Sequence, residues 1–221
     1  MSGSTMQKRM LAAMLPVGQS DQPVRWQQQK SAQTRLRMII AAMDCLVAGG
    51  YGGLTTQQVA ERTGISRGAM HHHFPTRLEL VTAVIDHVFY ERMRLFLEDY
   101  LSELGRSTEG ELVEIATAAH WRSVQTREYA AYLELAVAAR TDPELQQFFE
   151  PVARRYDEVW ISEMIESFPQ WQAQWETMKL ANDLAMVAHM GLLLNRPVMG
   201  EDRIDRVNAL LSRVLRGLYQ S

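Results

Sequence analysis

Two arginines in the N-terminal half of the chain carry side chains suited to contacts with an anion. The guanidinium fork of Arg67 can donate two hydrogen bonds to one partner, and Gly68 beside it allows close approach. Arg77 lies between Thr76 and Glu79, which form a capping box, so it should occupy the first turn of a helix. A cation there opposes the helix dipole, and a bound phosphate would explain its presence. These residues therefore predict binding to a polyanion.

The histidines are the most obvious candidates for metal chemistry. Three of them are adjacent, at residues 71–73, but successive helical residues point about 100° apart and cannot converge on one ion. His87, His120 and His189 are isolated, which is typical of partly buried, satisfied side chains. The sequence also lacks a glycine-rich phosphate loop, a nucleophile elbow and a Cys-His pair. We therefore expect no metal, no cofactor and no catalytic residue.

Helix start and stop signals place the basic residues on short helices joined by a tight turn. Thr55 and Gln58 form a capping box, so a helix should begin near Thr55. Gly64 can adopt a positive φ and end it. Ser66 can cap a second helix, which Pro75 ends. On that helix one face should point inward, with Met70, His73 and Phe74, and the other outward, with Arg67, Gly68, His71 and His72.

The stretch GGYGGLTTQQVAERTGISRGAMHHHFPTRLELV, residues 49–81, resembles the N-terminal DNA-binding signature of the TetR family of bacterial transcriptional regulators. The resemblance covers roughly residues 30 to 85. It consists of a Gly-Tyr after the first helix, a Thr-initiated second helix, a Gly-Ile-Ser turn and a closing His-Phe-Pro. Three places depart from the family pattern: Thr63 stands where Ala is common, Met70-His71 where Leu-Tyr is common, and Arg77 where Lys is common.

The resemblance implies that residues 66–74 form a helix that enters the major groove of a palindromic operator. Arg67 would then contact a base edge and Ala69 a thymine methyl. Phosphate contacts, which set the register on DNA, would come from Thr55, Thr56, His71 and Arg77. The full expected set of DNA-binding residues is Thr55, Thr56, Ser66, Arg67, Gly68, Ala69, His71, His72 and Arg77.

The charge distribution agrees with DNA binding at one end of the chain. The whole chain has a net charge of −3, whereas residues 25–77 carry seven basic and two acidic residues, a net +5. Residues 1–24 carry +1, so residues 78–221 carry −9. This asymmetry is expected if one part of the molecule binds phosphates and the rest avoids them.

Composition indicates a soluble globular protein. The chain has 221 residues, 47% of them hydrophobic, which is ample for a buried core. A single cysteine, Cys45, excludes an internal disulfide framework. The longest apolar run, residues 184–194, is shorter than the roughly 18 residues that a membrane span needs. The N-terminal segment lacks a convincing cleavage site, so we expect a cytoplasmic protein without a membrane partner.

Hydrophobic periodicity predicts an all-α fold, with helices near residues 27–48, 77–104, 109–124, 128–140, 143–168, 175–195 and 202–219. We expect three regions. Residues 1–24, interrupted by Pro16 and Pro23, should be a mobile tail. Residues 25–80 should form a three-helix DNA-binding domain of the helix-turn-helix type. Residues 81–221 should form a larger helical domain for effector binding and dimerisation. The pair Arg196-Pro197 should close the next-to-last helix.

The two C-terminal helices carry apolar stripes at helical spacing. The first stripe consists of Leu180, Leu184, Val187, Gly191 and Leu194, and the second of Ile204, Val207, Leu211, Val214 and Leu218. Small residues beside the first stripe, Ala181, Ala185 and Ala188, would permit close approach of another helix. Together with the resemblance, the stripes predict a homodimer with a four-helix interface. The alternative is that they are buried against the same chain.

Aromatic side chains in the middle of the predicted larger domain can line a small-molecule site. Trp121, Tyr132 and Trp160 occupy mid-helix positions and are our candidates for effector binding, although ordinary core packing is the alternative. Members of the resembling family usually hold an inducer in this region. The resemblance thus implies a homodimeric repressor that a small-molecule inducer releases from DNA. Two alternatives stay open: a DNA-binding regulator without an effector, and a helical enzyme with a fortuitous helix-turn-helix.

Overall fold

The computed structural model of the chain describes residues 3–16, 26–104, 112–167 and 169–220. These residues form ten α-helices and one short 3-10 helix, Pro169–Gln174, and contain no strand. The all-α fold class is therefore confirmed. The helices are α1 Gly3–Ala13, α2 Trp26–Gly53, α3 Thr56–Thr63, α4 Arg67–His73, α5 Arg77–Leu104, α6 Leu112–Ser123, α7 Arg127–Ala139, α8 Pro143–Ser167, α9 Trp175–Met199 and α10 Glu201–Gln220.

Packing divides the described residues into two compact units. Unit A contains those within residues 11–92 and 127–157, and unit B those within 1–10, 93–126 and 158–221. Unit A therefore includes α2, α3, α4 and α7, whereas α6, α9 and α10 belong to unit B. The long helices α5 and α8 each contribute to both units. The domain boundary expected at residue 80 stays a prediction, because it divides the chain by function and not by packing.

Residues 3–16 do not have the structure of the mobile tail that we expected over residues 1–24, and residues 17–24 lie outside the described residues. Residues Gly3–Ala13 form α1, whose Met6 and Met10 are buried on one helix face, and Met14 just after the helix is buried too. In unit B, Arg9 forms ion pairs with Glu163 and Glu166, and its Nη1 lies 2.9 Å from Glu166 Oε2. The prediction gave weight to the prolines and overlooked the methionine stripe. Pro16 follows the helix and does not interrupt it, and Pro23 lies outside the described residues.

The long helix α2 is interrupted near its end, as expected from its glycines. Gly50 has φ 69° and ψ 174°, so the regular helix stops there before one more turn to Gly53. By length and composition, residues Gln29–Gly53 are apolar enough to cross a membrane, although charged residues interrupt the apolar run. One such helix is weak evidence, because core helices of soluble proteins share these properties. Met38, Met43 and Leu46 of α2 are fully buried in the protein.

Helix boundaries elsewhere follow the hydrophobic pattern closely, with one clear error. Helix α5 begins and ends at the predicted residues. Helix α9 continues through Pro197 to Met199, so Arg196-Pro197 does not close it as predicted. The backbone N–H of Gly200 donates to the Arg196 carbonyl at 3.1 Å, which extends the helical pattern past the proline. The predicted start of α6 at residue 109 and the end of α8 at residue 168 lie outside the described residues.

Packing between α9 and α10 corrects one expectation about the C-terminal helices. Ala181 is buried with Leu211 and Leu215 of α10, and Ala185 and Ala188 pack against the same cluster. The small residues of α9 therefore allow close approach of a helix from their own chain, which is the alternative that the sequence left open. The predicted stripe of α10 is likewise divided, because Ile204 and Leu211 are buried and Val214 is exposed.

Candidate nucleic-acid interface

Helix α3 begins and ends through local hydrogen bonds. The Gln58 N–H donates to Thr55 Oγ1 and the Thr55 N–H donates to Gln58 Oε1, both at 3.2 Å, so the predicted capping box is present. At the other end Gly64 has φ 69° and ψ 21°, and the N–H of Ile65 donates to the Ala60 carbonyl at 3.0 Å. A left-handed residue is what the turn into α4 requires, and glycine adopts it without a steric penalty.

Helix α4 is short and has the two faces that its sequence predicts. Ser66 caps it by accepting from the Ala69 N–H at 3.2 Å. Met70 and Phe74 are almost fully buried, at 2% and 1% exposure. The exposed residues of this segment include Ser66, Arg67, Gly68, His71 and His72, whereas Ala69 and His73 are half-buried. Burial of two large apolar side chains thus fixes which face of α4 points to solvent.

Two arginines of α2 hold the C-terminal ends of α3 and α4. Arg37 Nη2 donates to the Thr63 carbonyl at 3.1 Å. Arg35 Nη1 donates to the His73 carbonyl at 2.8 Å, and its guanidinium carbon lies 4.1 Å from the centre of the Phe74 ring. Carbonyls at a helix C-terminus have no partner within the helix, so a cationic donor stabilises them. From the sequence we counted these arginines only as charge and missed this role.

Arg77 also has a structural role that the sequence did not indicate. Its Nε donates to the Leu54 carbonyl at 2.8 Å and its Nη2 to the Tyr51 carbonyl at 2.5 Å. The guanidinium carbon lies 4.2 Å from the centre of the Tyr51 ring. These contacts tie the start of α5 to the last turn of α2 and to Leu54, which follows it. They explain a cation in a first helical turn without a phosphate, and the phosphate contact stays a prediction.

Arg67 differs from these arginines. Arg62 pairs with Asp44 at 3.5 Å, and Arg127 pairs with the same carboxylate at 2.8 Å. The Arg67 side chain is exposed, and within the described residues it makes no hydrogen bond or ion pair. All of its guanidinium donors are therefore available to an external partner.

Several of the predicted DNA-binding residues surround one open depression of about 340 Å³ on unit A. Its polar lining includes Thr56, Gln57, Arg67, His71 and Arg77, and its floor is apolar, with Ala60, Met70, Phe74 and Pro75. Of the other predicted residues, Thr55 and Ser66 use their hydroxyls as helix caps. Gln57 was missed by our prediction, although its position beside Thr56 on a short polar helix was a usable signal.

The three candidate effector residues lie in different units. In unit B, the Trp121 ring lies 5.5 Å from the His189 ring and the Trp160 ring 5.1 Å from the Phe96 ring. Tyr132 belongs to unit A, where its ring lies 5.6 Å from that of Phe89. Each of the three side chains thus packs against aromatic rings of its own unit.

A histidine pair in unit B was not anticipated from the sequence, which indicated isolated histidines. Nδ1 of His120 lies 2.7 Å from Nδ1 of His189, with the rings stacked at 5.0 Å. His189 is fully buried, and burial lowers its pKa from 6.5 to about 4. Its Nε2 has no hydrogen-bond partner among the described residues. We expected a histidine with all of its hydrogen bonds satisfied, and His189 differs from that expectation.

No group of three or more His, Cys, Asp or Glu side chains within the described part of the chain is arranged to hold a metal ion.

Comparison with known proteins identifies relatives of this chain. Residues 39–84 match the family model of bacterial regulatory proteins, tetR family. An HTH-type transcriptional regulator of Mycobacterium tuberculosis is 28% identical over 194 residues, which cover 85% of this chain and 97% of the relative. The HTH-type transcriptional regulator TtgW of Pseudomonas putida is 33% identical over 106 residues, 47% of this chain and 75% of the relative.

Solved structures show the same fold at lower identity. The crystal structure of the multidrug binding protein EbrR, complexed with imidazole, superposes with a TM-score of 0.61. The alignment covers 83% of this chain and 93% of that chain, at 18% sequence identity. The likeness therefore extends well beyond the 46-residue match of the family model.

Proposed function

The chain belongs to the TetR family of bacterial transcriptional regulators, which are not enzymes, and we propose that it is a cytoplasmic repressor released from a palindromic operator by a small-molecule effector. The observation that carries the DNA-binding part is Arg67, an exposed arginine on an exposed helix face with no partner among the described residues. In this proposal α4 enters the major groove and Arg67 takes guanine O6 and N7.

The residues around Arg67 position the helix on DNA. Gly68 and Ala69 allow the α4 backbone to approach the base edges, and His72 extends the exposed face. Thr56 and His71 line the open depression beside Arg67, which supports contacts with phosphate oxygens. Thr55 and Ser66 remain in the proposed interface because each precedes the N-terminus of a helix. The free backbone N–H groups at a helix N-terminus favour an anion.

Arg77 is proposed as a further phosphate contact, but two of its donor groups already bind carbonyls. The variant Arg77→Ala separates the two roles. If Arg77 contacts a phosphate, the slope of log binding constant against log salt falls by about one. If it acts only on the Tyr51 and Leu54 carbonyls, the melting temperature falls and the salt slope stays as in the parent protein.

A homodimer is supported by an apolar stripe on α9 that no described residue covers. Leu180, Val187, Leu194 and Val198 are more than half exposed, at intervals of seven, seven and four residues that keep them on one face. Large exposed apolar surfaces of this kind commonly mark an interface between chains. Two copies joined through α9 and α10 would present two α4 helices to half-sites related by a two-fold axis.

The dimer is tested by one charge placed on the stripe. Leu194→Glu should reduce the mass measured by sedimentation equilibrium from two chains towards one, because a buried unpaired carboxylate opposes association. Val137→Glu is the matched control, since Val137 is an equally exposed valine on α7 of unit A. The interface proposal is wrong if both variants keep the mass of the parent protein.

Repression and release are tested with DNA bound by the purified full-length protein. Selection of bound genomic fragments followed by footprinting should give a protected palindrome. Arg67→Ala should then cost about 1 to 3 kcal/mol of operator binding and relax the preference at one base pair. The control Arg62→Ala removes a charge from α3 and should keep that preference. Unchanged base preference in Arg67→Ala would refute the assignment.

The effector part of the proposal is supported by the fold that this chain shares with EbrR, a multidrug binding protein. An effector can bind more tightly to a conformation in which the two α4 helices are wrongly spaced for DNA. Such an effector weakens DNA binding, and DNA weakens effector binding by the same factor. Operator affinity measured with and without each ligand that binds the protein tests this coupling. Equal affinities for every such ligand would leave a DNA-binding regulator without an effector.

A further inference from the structure

We propose that the effector site includes Arg92 of α5 and takes a planar organic anion, an aromatic carboxylate, whose charged group pairs with the Arg92 guanidinium. This inference rests on the proposed ligand-responsive function and names the chemical class of the ligand.

The Arg92 side chain lies among aromatic rings of unit A. Its guanidinium carbon is 3.8 Å from the centre of the Tyr132 ring and 4.8 Å from that of Tyr129. The rings of Tyr156 and Phe89 follow at 5.2 and 5.5 Å. Four rings within about 6 Å of one cation form an aromatic box, in which the ring faces attract the positive charge.

What the box lacks is an anion. Within the described residues, Arg92 makes no ion pair and donates to no carbonyl. Its neighbour Arg94 is held by both carboxylate oxygens of Glu98, at 2.7 and 2.8 Å. The five N–H donors of the Arg92 guanidinium make no hydrogen bond to another described residue. Those donors are the group that recognises a carboxylate through two parallel hydrogen bonds.

The position of Arg92 makes an anion more favourable there than at the surface. The side chain is half-buried, and Tyr129 and Phe89 beside it are buried. A charge partly removed from water is stabilised by an opposite charge more strongly than an exposed one, because less solvent screens the pair. The box is already occupied by the cation of Arg92, so a cationic ligand would meet like charge.

The surrounding rings favour a flat ligand. Tyr132 stacks near Phe149, with ring centres 6.0 Å apart and planes 27° apart, whereas the Phe89 ring meets that of Tyr132 edge-on at 82°. Both geometries are the favourable ones for aromatic pairs, and an aromatic ligand can join them. Burial raises the pKa of the Tyr129 phenol to about 12, so the phenol stays neutral and adds no negative charge against the carboxylate.

The same helix connects Arg92 with the proposed DNA-binding face. Helix α5 begins at Arg77, which lines the depression beside α4, and Arg92 lies 15 residues further along, or about 22 Å. Both residues belong to unit A. A ligand bound at Arg92 therefore contacts the same helix, α5, whose first residue lines the depression beside α4. This continuity gives ligand binding a physical route to operator affinity.

The test uses the full-length protein without DNA and two matched sets of probes. The acids are benzoate, phenylacetate and 2-naphthoate, and the controls are their primary amides, which keep the ring and lose the charge. Thermal shift and titration calorimetry measure binding. We expect at least one acid to raise the melting temperature and to bind at least tenfold more tightly than its amide. The inference is overturned if no acid binds, or if acids and amides bind alike.

Variants then assign the binding to Arg92. Arg92→Gln should lower the affinity for the best acid at least tenfold and leave the affinity for its amide unchanged. Arg92→Lys keeps the charge but loses the planar fork, so it should lose less affinity than Arg92→Gln. Arg94→Gln is the control on the same helix and should bind as the parent does. An acid that binds Arg92→Gln as tightly as the parent overturns the inference, and the amide and Arg92→Lys report whether the variants are folded.

Operator binding distinguishes failure of this inference from failure of the proposed function. Acid binding that depends on Arg92 but leaves operator affinity unchanged would keep the site and remove its role in release. If an acid releases the operator equally well from the parent protein and from Arg92→Gln, the proposed function is kept and the proposed site at Arg92 is overturned.

Discussion

Acid should destabilise this protein through His189. This imidazole of α9 is fully buried, and its Nδ1 lies 2.7 Å from Nδ1 of His120. Burial lowers its pKa from 6.5 to about 4, because a charged ring would lose its hydration. The perturbation to test is therefore a fall in pH from 7 to 5, with and without the His189 imidazole.

The sign and size of the effect follow from the two pKa values. Between pH 6.5 and 4 the unfolded chain binds a proton at His189 and the folded chain does not, so stability rises with pH in this window. The contribution is fully present above pH 6.5 and is lost as the pH falls through 4. A shift of this size corresponds to about 3 kcal/mol in total, of which about 2 kcal/mol is lost at pH 5.

Urea denaturation at pH 7 and pH 5, at one fixed protein concentration, measures this loss. His189→Gln replaces the imidazole by a neutral side chain and should lose about 2 kcal/mol less than the parent between the two pH values. His71→Gln, the same substitution at an exposed position of α4, is the control and should behave as the parent does. Equal losses in the parent and in His189→Gln would refute the reasoning, whatever the stability of the variant at pH 7.

Three further predictions concern folding elements of the N-terminal region, and each is measured by urea denaturation at pH 7. Met10→Ala should lower the free energy of unfolding by about 2 to 5 kcal/mol, because Met10 is 1% exposed and the smaller side chain leaves a cavity. A loss below about 0.5 kcal/mol would mean that α1 is not part of the core. Gly64→Ala should lower the free energy of unfolding by about 1 to 2 kcal/mol through backbone strain, because Gly64 has φ 69°. A clash is not the cause, since an added Cβ would meet no atom beyond its chain neighbours within 4 Å. Gly68→Ala, at a helical φ, is the control. Thr55→Ala should cost about 1 kcal/mol through loss of the capping box, whereas Thr55→Ser should keep most of the stability.

The elements that the sequence predicted best are those whose signals are local. The capping box at Thr55 and Gln58, the left-handed Gly64 and the Ser66 cap each depend on hydrogen bonds that span three to five residues. Such bonds form wherever the residue types occur at the right spacing, so the helices α3 and α4 were predictable. Helix α5 was predictable for a related reason, since its apolar residues recur at helical spacing along its length.

Partners that are distant in the chain required the tertiary structure. Arg77 lies 23 residues from the Leu54 carbonyl that it binds, and His120 lies 69 residues from His189. A sequence shows a donor or an imidazole, but which group satisfies it depends on how the helices pack. For that reason Arg77 suggested a phosphate and the two histidines suggested isolated side chains.

Burial is the second property that only the tertiary structure decided. The apolar residues of α1 were visible as methionines, but whether they face a core or water depends on what packs against them. On α9, alanines and leucines occur together, and packing places Ala181 against α10 while Leu180 beside it stays exposed. By itself the sequence determined most of the helices after α1, the caps of α3 and α4 and the charged face of α4, because these follow from local bonds and periodicity. The structure decided which charged side chains are paired inside the chain and which, like Arg67 and Arg92, make no ion pair among the described residues.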